Sequence, residues 1–154
     1  MSQGERLDRS HAIFANHRTI RFTEMEYALP REVVVEAFRM VLDTIERDRL
    51  QVGFPIELRV AAADDAPLST AHGRDTGYVA VHQYRGMEFE RYFRAVEAIM
   101  RDYGGRPHWG KRHYKGAAAL RELYPDWDRF ADARARLDPG GRYQNDYSRR
   151  VLGP

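Results

Sequence analysis

Three stretches of the chain alternate apolar and polar side chains with a period of two, and two longer stretches repeat apolar side chains at helical spacing. A period of two sends successive side chains to opposite faces of a strand, whereas recurrence at i, i+3, i+4 and i+7 lines one stripe of a helix. Thr19 to Tyr27 reads as a first strand, with Ile20, Phe22 and one later apolar residue expected to face the core. Pro30 stands where a helix would begin, because the N–H it lacks is one that a first turn leaves unbonded. Val33, Val34, Ala37, Phe38, Val41, Leu42 and Ile45 then predict a helix from about 31 to 48. Gly53 and Pro55 punctuate the next boundary. Ile56 to Val60 predicts a second strand, with Glu57 and Arg59 on one face and Ile56, Leu58 and Val60 on the other. After a polar loop, Asp64 to Gly77, the run Tyr78 to Tyr84 predicts a third strand. Glu88 to Tyr103 predicts a second helix, with Phe89, Tyr92, Phe93, Val96, Ile99 and Met100 on one side and Gly104-Gly105 closing it.

Beyond this point the periods weaken. Arg106 to Tyr114 fits neither and reads as a short strand plus loop. Helical pieces are expected around 117–123 and 126–136, a turn at Pro139-Gly140-Gly141, and a polar tail from Tyr143 to Leu152 with scattered apolar anchors. Residues 1–10 are polar and read as loose. The element order is βαββαβ with a C-terminal helical segment. The expected class is α+β: an antiparallel sheet with helices packed on one face, an elaborated ferredoxin-like arrangement. Helices on one face leave the other free to cover something, and the Glu57/Arg59 face is the candidate. With no internal repeat or linker, residues 1–154 read as a single domain, a size that buries a real core.

Composition narrows the function classes. Lys and Arg number 25 against 23 Asp and Glu, a net charge of +2. So slim an excess favours no partner class strongly, and it disfavours a dedicated nucleic-acid binder, which usually carries a concentrated basic patch. The absence of cysteine excludes disulfides, thiolate metal sites and a cysteine nucleophile. Met1 to Arg9 shows no secretory signal, and no run approaches the ~20 apolar residues of a transmembrane span. The expectation is a cytoplasmic chain, with peripheral membrane association as the only membrane option.

Two places could carry chemistry. Glu57 and Arg59, two apart on a strand, project side by side within an apolar run. They are either a solvated strand face or a site in which Glu fixes Arg and Arg offers planar, permanent donors to substrate oxygens. His82 and Tyr84 on the next strand would share that surface, although a strand histidine is in isolation more often a structural one. The second place is His108-Trp109-Gly110-Lys111-Arg112-His113. A metal site through His108 and His113 and a stacking-plus-phosphate nucleic-acid site are the less favoured readings. The third is an active-site loop in which Gly110 permits an unusual backbone turn and Lys111 points a cation into a pocket walled by Trp109. The remaining basic residues of helix and tail read as solvated surface.

His108-Trp109-Gly110-Lys111 resembles the HWGK signature of the aldonolactone oxidase family, which includes D-arabinono-1,4-lactone oxidases, L-gulono-1,4-lactone oxidases and bacterial alditol oxidases. Arg21 to Tyr27 with Pro30-Arg31-Glu32 resembles that family's strand and helix start. Phe54 to Arg59, Ala63-Asp64 and Leu68-Ser69 resemble its E-x-R strand and following loop. Leu137-Asp138-Pro139, Asn145 and Arg150 to Gly153 resemble its terminus. The matches fall in order over nearly the whole chain.

The resemblance implies the C-terminal cap, or substrate, domain of a two-domain FAD-dependent oxidoreductase of the vanillyl-alcohol-oxidase type. It implies that the FAD-binding domain is absent from this chain. Glu57, Arg59 and Lys111 would then be catalytic, with Arg59 on the hydroxyl being oxidised and Glu57 orienting Arg59. His82, Tyr84 and His108 would bind substrate, Lys111 and Trp109 would meet the flavin, and no metal is involved. The expected partners are a sugar lactone or alditol and an FAD-binding domain or subunit, or a second copy through the vacated interface. The alternative is an orphan cap that acts as a non-catalytic sugar-acid or protein-binding module.

Overall fold

A computed structural model describes residues 7–15 and 19–154, and the expectation for the first six residues lies outside them. After a short helix α1 (Ser10–Phe14) the elements run β1 (Phe22–Pro30), α2 (Val34–Arg47), β2 (Glu57–Ala61), β3 (Thr76–Tyr84), α3 (Glu90–Asp102), β4 (Arg106–Pro107), α4 (Ala117–Arg121), α5 (Trp127–Leu137) and α6 (Asp146–Leu152). The four strands form one antiparallel sheet in the order β2-β3-β1-β4. This is the α+β arrangement expected from the periodicities.

The core lies between one face of the sheet and helices α2 and α3. Met25, Tyr27 and Leu29 of β1 and Val79 and Val81 of β3 meet Ala37 and Val41 of α2 and Phe93 and Met100 of α3. Each fully buried large side chain contributes roughly 1.5–3 kcal/mol. Helix α2 sits close against β3 at Gly77, where an added Cβ would fall 2.5 Å from the Val34 side chain. Helix α3 stops at Gly104, whose φ of 65° is open to glycine at little cost, and the N–H of Gly105 returns to the Met100 carbonyl at 2.8 Å. A second, smaller core joins the C-terminal helices, with Leu120, Tyr124, Trp127 and Val151 at its centre.

Several expectations change. The core parity of β1 is set by Met25, Tyr27 and Leu29, so Phe22 faces the opposite side, and Ile20 precedes the strand and is exposed. Pro30 is the last residue of β1, paired with Thr76, rather than the start of a helix. The predicted apolar face of β2 points toward the helix side, yet Leu58 and Val60 stay 44% and 60% exposed because β2 is an edge strand beyond the reach of the helices. The tail contains a true helix, α6, opened by a capping box in which the Asn145 side chain accepts from Ser148 N–H at 2.9 Å and Ser148 Oγ accepts from Asn145 N–H at 2.8 Å.

Candidate functional site

The sheet's second face, opposite α2 and α3, gathers the charged side chains. Strand pairing sets Glu57, Ala80 and Glu26 in one row across β2, β3 and β1, and Arg59, Tyr78 and Ala28 in the next. On the other side of the first row lie His82 and Glu24, followed by Tyr84 and Phe22. Ala80 is wholly buried and forms a low floor between two carboxylates.

Glu26 is the centre of this face. Its carboxylate is only 3% exposed and accepts from Arg59 Nη2 and, at 2.8 Å, from Lys111 Nζ. Lys111 Nζ also lies 3.3 Å from Glu24 Oε2, which in turn lies 3.1 Å from His82 Nε2. Arg59 Nε stands 3.8 Å from Glu57 Oε2, a much looser contact than the one with Glu26. The groups therefore alternate across the face as Glu57, Arg59, Glu26, Lys111, Glu24 and His82. A carboxylate as buried as Glu26 costs several kcal/mol without counter-charges, and two cations supply them. Lys111 is 13% exposed, with one donor hydrogen-bonded to Glu26 and an ion pair to Glu24, and Arg59 is 53% exposed with part of its guanidinium free toward solvent.

Aromatic rings close one end of the string. The His82 ring stacks on Phe54 with centroids 5.0 Å apart, Phe22 meets it edge-on at 5.3 Å, and Tyr84 lies 4.9 Å from Phe54. His82 Nδ1 is buried without a hydrogen-bond partner. The sequence expectation that His82 and Tyr84 share the face of Glu57 and Arg59 agrees with this geometry.

Lys111 reaches the face because its loop runs along β1. His108 N–H donates to the Glu26 carbonyl at 2.9 Å and Arg112 N–H to the Glu24 carbonyl at 3.0 Å, while residues between them bulge outward. The residues whose carboxylates hold Lys111 thus also hold its backbone. Gly110 needs no left-handed conformation, and an added Cβ there would approach only the His108 ring, at 3.4 Å, so the expected unusual turn is not the reason for this glycine. Trp109 does not wall Lys111. Its ring packs on Tyr124 and Trp127 in the second core, and its indole N–H donates to the Leu68 carbonyl at 2.9 Å. The His108 side chain is exposed and curls onto its own loop, Nδ1 accepting from Gly110 N–H at 3.0 Å. His113 lies apart from it, buried, with Nε2 3.1 Å from Tyr147 Oη. Among the described residues no cluster of three or more His, Asp or Glu could hold a metal ion, and no helix is long and apolar enough to cross a membrane.

Glu24 and Glu26 are absent from the sequence-level site. The signal available was their parity: on a strand whose odd positions are apolar, two glutamates two apart share the face that Glu57 and Arg59 occupy on β2.

Comparison with known proteins adds an independent line. The family model for D-arabinono-1,4-lactone oxidase matches residues 1–151. The chain is 63% identical over 154 residues to an L-gulono-1,4-lactone dehydrogenase of Mycobacterium tuberculosis, covering 100% of this chain and 36% of that protein. It is 34% identical over 148 residues to an L-gulonolactone oxidase of Mus musculus, covering 93% of this chain and 34% of the relative. It is 38% identical over 139 residues to an alditol oxidase of a Streptomyces species, covering 84% and 31% respectively. The chain thus spans about a third of the length of these relatives.

Proposed function

Because the chain belongs to the D-arabinono-1,4-lactone oxidase family, a family of oxidoreductases, we propose that it supplies the substrate-side face of an FAD-dependent enzyme that oxidises a CH–OH group of a sugar lactone. The observation that carries this reading is the alternating string of charges on the face of the sheet opposite α2 and α3, with Arg59 and Lys111 held on the buried Glu26 and each left with donors to spare. A polyhydroxylated, uncharged ring needs many directed hydrogen bonds and gains little from apolar burial. A face of fixed donors and acceptors suits it.

A lactone is favoured over an alditol because the relative at 63% identity is a lactone dehydrogenase, whereas the alditol oxidase stands at 38%. The same relative favours an acceptor other than oxygen.

The residues suit the reacting end of FAD rather than its diphosphate. Arg59, Lys111 and the rings of Phe54, His82 and Tyr84 offer cationic donors and flat apolar surface. Among the described residues no glycine-rich strand-to-helix turn cradles a phosphate. FAD supplies the hydride acceptor when bound. Arg59 would donate to the oxygen on the carbon being oxidised and stabilise the negative charge that builds there as the hydroxyl proton passes to solvent. Glu57, half-exposed beside Arg59, accepts from a neighbouring hydroxyl. A spare N–H of Lys111 would donate to a ligand oxygen, and its charge would offset negative charge on a flavin held beside it. His82 fixes Glu24, and the exposed Tyr84 and His108 border the area where a sugar ring would lie.

The test is to incubate the purified chain with FAD, alone and together with a flavin-binding portion of a homologous enzyme. After desalting, the visible spectrum is followed on addition of L-gulono-1,4-lactone and of xylitol. Bleaching by the lactone supports the reading, and bleaching by xylitol alone overturns the substrate assignment. Lactone binding by calorimetry with no bleaching in either preparation would favour a non-catalytic sugar-binding module instead.

A further inference from the structure

Arg59 comes from β2, Lys111 from the loop after β4, and they share one acceptor, the carboxylate of Glu26 on β1 between them. We infer that Glu26 is a positioning residue that couples Arg59 and Lys111 into a single two-cation clamp. The inference deepens the proposed function and rests on it for its catalytic meaning, though not for its geometry.

Three observations support it. First, Glu26 is nearly inaccessible at 3% exposure, so it is not placed to meet a ligand; its carboxylate is turned to the two cations. Second, Oε2 alone takes both contacts, so a change in the position of either cation is felt by the other through one atom. Third, the Glu26 backbone carbonyl accepts from His108 N–H at 2.9 Å, which fixes the loop of Lys111 to the same residue. The floor beneath is the side chain of Ala80, which leaves the pair room to lie flat across β3. Glu57, the carboxylate expected to orient Arg59, is half-exposed and 3.8 Å away. The orienting role therefore falls to Glu26, and Glu57 is left free to face a ligand. Catalysis by positioned charge depends on such fixation, because a misplacement of about 1 Å can cost about 100-fold in rate.

The experiment uses the full chain and the isosteric variant E26Q. The carboxamide keeps an acceptor oxygen where Oε2 takes both contacts but removes the negative charge that holds the two cations together. Side-chain nitrogen NMR reads Lys111 Nζ and the Arg59 guanidinium directly. In the wild type both are expected as slowly exchanging, resolved signals; in E26Q at least one is lost to exchange while backbone amides outside β1, β2 and the 108–112 loop stay in place. Unchanged signals of both cations in E26Q overturn the inference. If E26Q does not fold, K111M and R59M decide: each is expected to shift the side-chain signal of the other cation, although no direct contact joins them, and no cross-effect overturns the inference.

In the flavin-loaded enzyme E26Q is expected to lower kcat about 10- to 100-fold with KM nearly unchanged. A rise in KM alone overturns the positioning role. Lactone turnover absent from the wild type would instead overturn the proposed function, and the NMR result would still decide the clamp.

Discussion

The indole N–H of Trp109 donates to the carbonyl of Leu68 across 2.9 Å, and the Trp109 carbonyl accepts from the Tyr147 hydroxyl. One residue thereby ties the loop of Lys111 to the 64–75 loop and to α6. Replacing it as W109F removes one donor and leaves the Leu68 carbonyl short of a partner, for a loss of about 1 kcal/mol. W109A also removes ring packing against Tyr124 and Trp127 and is expected to cost about 3–5 kcal/mol. Urea denaturation of the two variants checks the ranking.

Gly77 is required by close approach rather than by backbone conformation. A methyl group there would meet the Val34 side chain at 2.5 Å, at the base of α2. G77A is expected to destabilise by roughly 1–3 kcal/mol, seen as a lower midpoint in thermal unfolding. The double variant G77A/V34A should recover part of that loss, because the clash is with Val34 itself.

His113 is buried, and burial first, then the charges of Arg150 and Lys115, push its pKa from 6.5 down to about 4. Between those values the unfolded chain binds a proton that the folded chain refuses. Stability is therefore unaffected by this group above about pH 6.5, falls as the pH drops toward 4, and carries the full cost below it. A shift of this size corresponds to roughly 3 kcal/mol. H113Q, which cannot take up the proton, is expected to flatten the acid limb of a plot of stability against pH. An unaltered slope between pH 4 and 6.5 would show that other groups set it.

Lys111 and Glu57 both belong to the charged string but differ in their surroundings. K111M strips the counter-charge from Glu24 and from the buried Glu26 and is expected to cost about 3–5 kcal/mol. E57Q loses only an exposed, 3.8 Å contact and should stay within about 0.5 kcal/mol of the wild type. Equal losses for the two would contradict the arrangement in which Glu26, not Glu57, anchors the cations.

Arg106 is buried, with Nε 2.8 Å from the Leu123 carbonyl and Nη1 2.7 Å from the His72 carbonyl. Its fork links the 64–75 loop to the turn after α4. R106K keeps the charge but cannot span both acceptors, so a loss of about 3 kcal/mol is expected. Earlier proteolytic nicking in the 64–75 loop than at α2 would check that the loss is local.

The sequence was most readable where a single period ran uninterrupted. The apolar recurrence from Val34 to Ile45 and from Tyr92 to Met100 is enough to define α2 and α3, and the alternation of Glu57 to Val60 puts Glu57 and Arg59 on the correct face. Strand β1 was harder. Phe22 and Met25 are both apolar yet point to opposite faces, so counting from Ile20 and Phe22 selects the wrong parity, and with it Glu24 and Glu26 pass unnoticed. Lys111 is singled out by the residue chemistry of its loop and by the HWGK resemblance rather than by any period, because its loop follows β1 by backbone pairing from a two-residue strand. That loop reading also makes Trp109 the wall of the Lys111 pocket, although neighbours in a bulged loop can face different surroundings, and Trp109 packs in the second core. Helix α6 was hidden by its polar composition, although Asn145 and Ser148 carry the spacing of a capping box.

Strand β1 carries two messages interleaved residue by residue: Met25, Tyr27 and Leu29 address the core, and Glu24 and Glu26 address the opposite face. Substitutions at even positions can therefore retune the chemistry while the core remains intact, and substitutions at odd positions can repack the core while the charges stay where they are. Insertions and deletions have no such freedom. Loss of one residue within the strand would turn glutamates toward the apolar interior and methionine and tyrosine toward the polar face. The evolutionary latitude of this stretch is thus wide for replacement and nearly closed for changes in length.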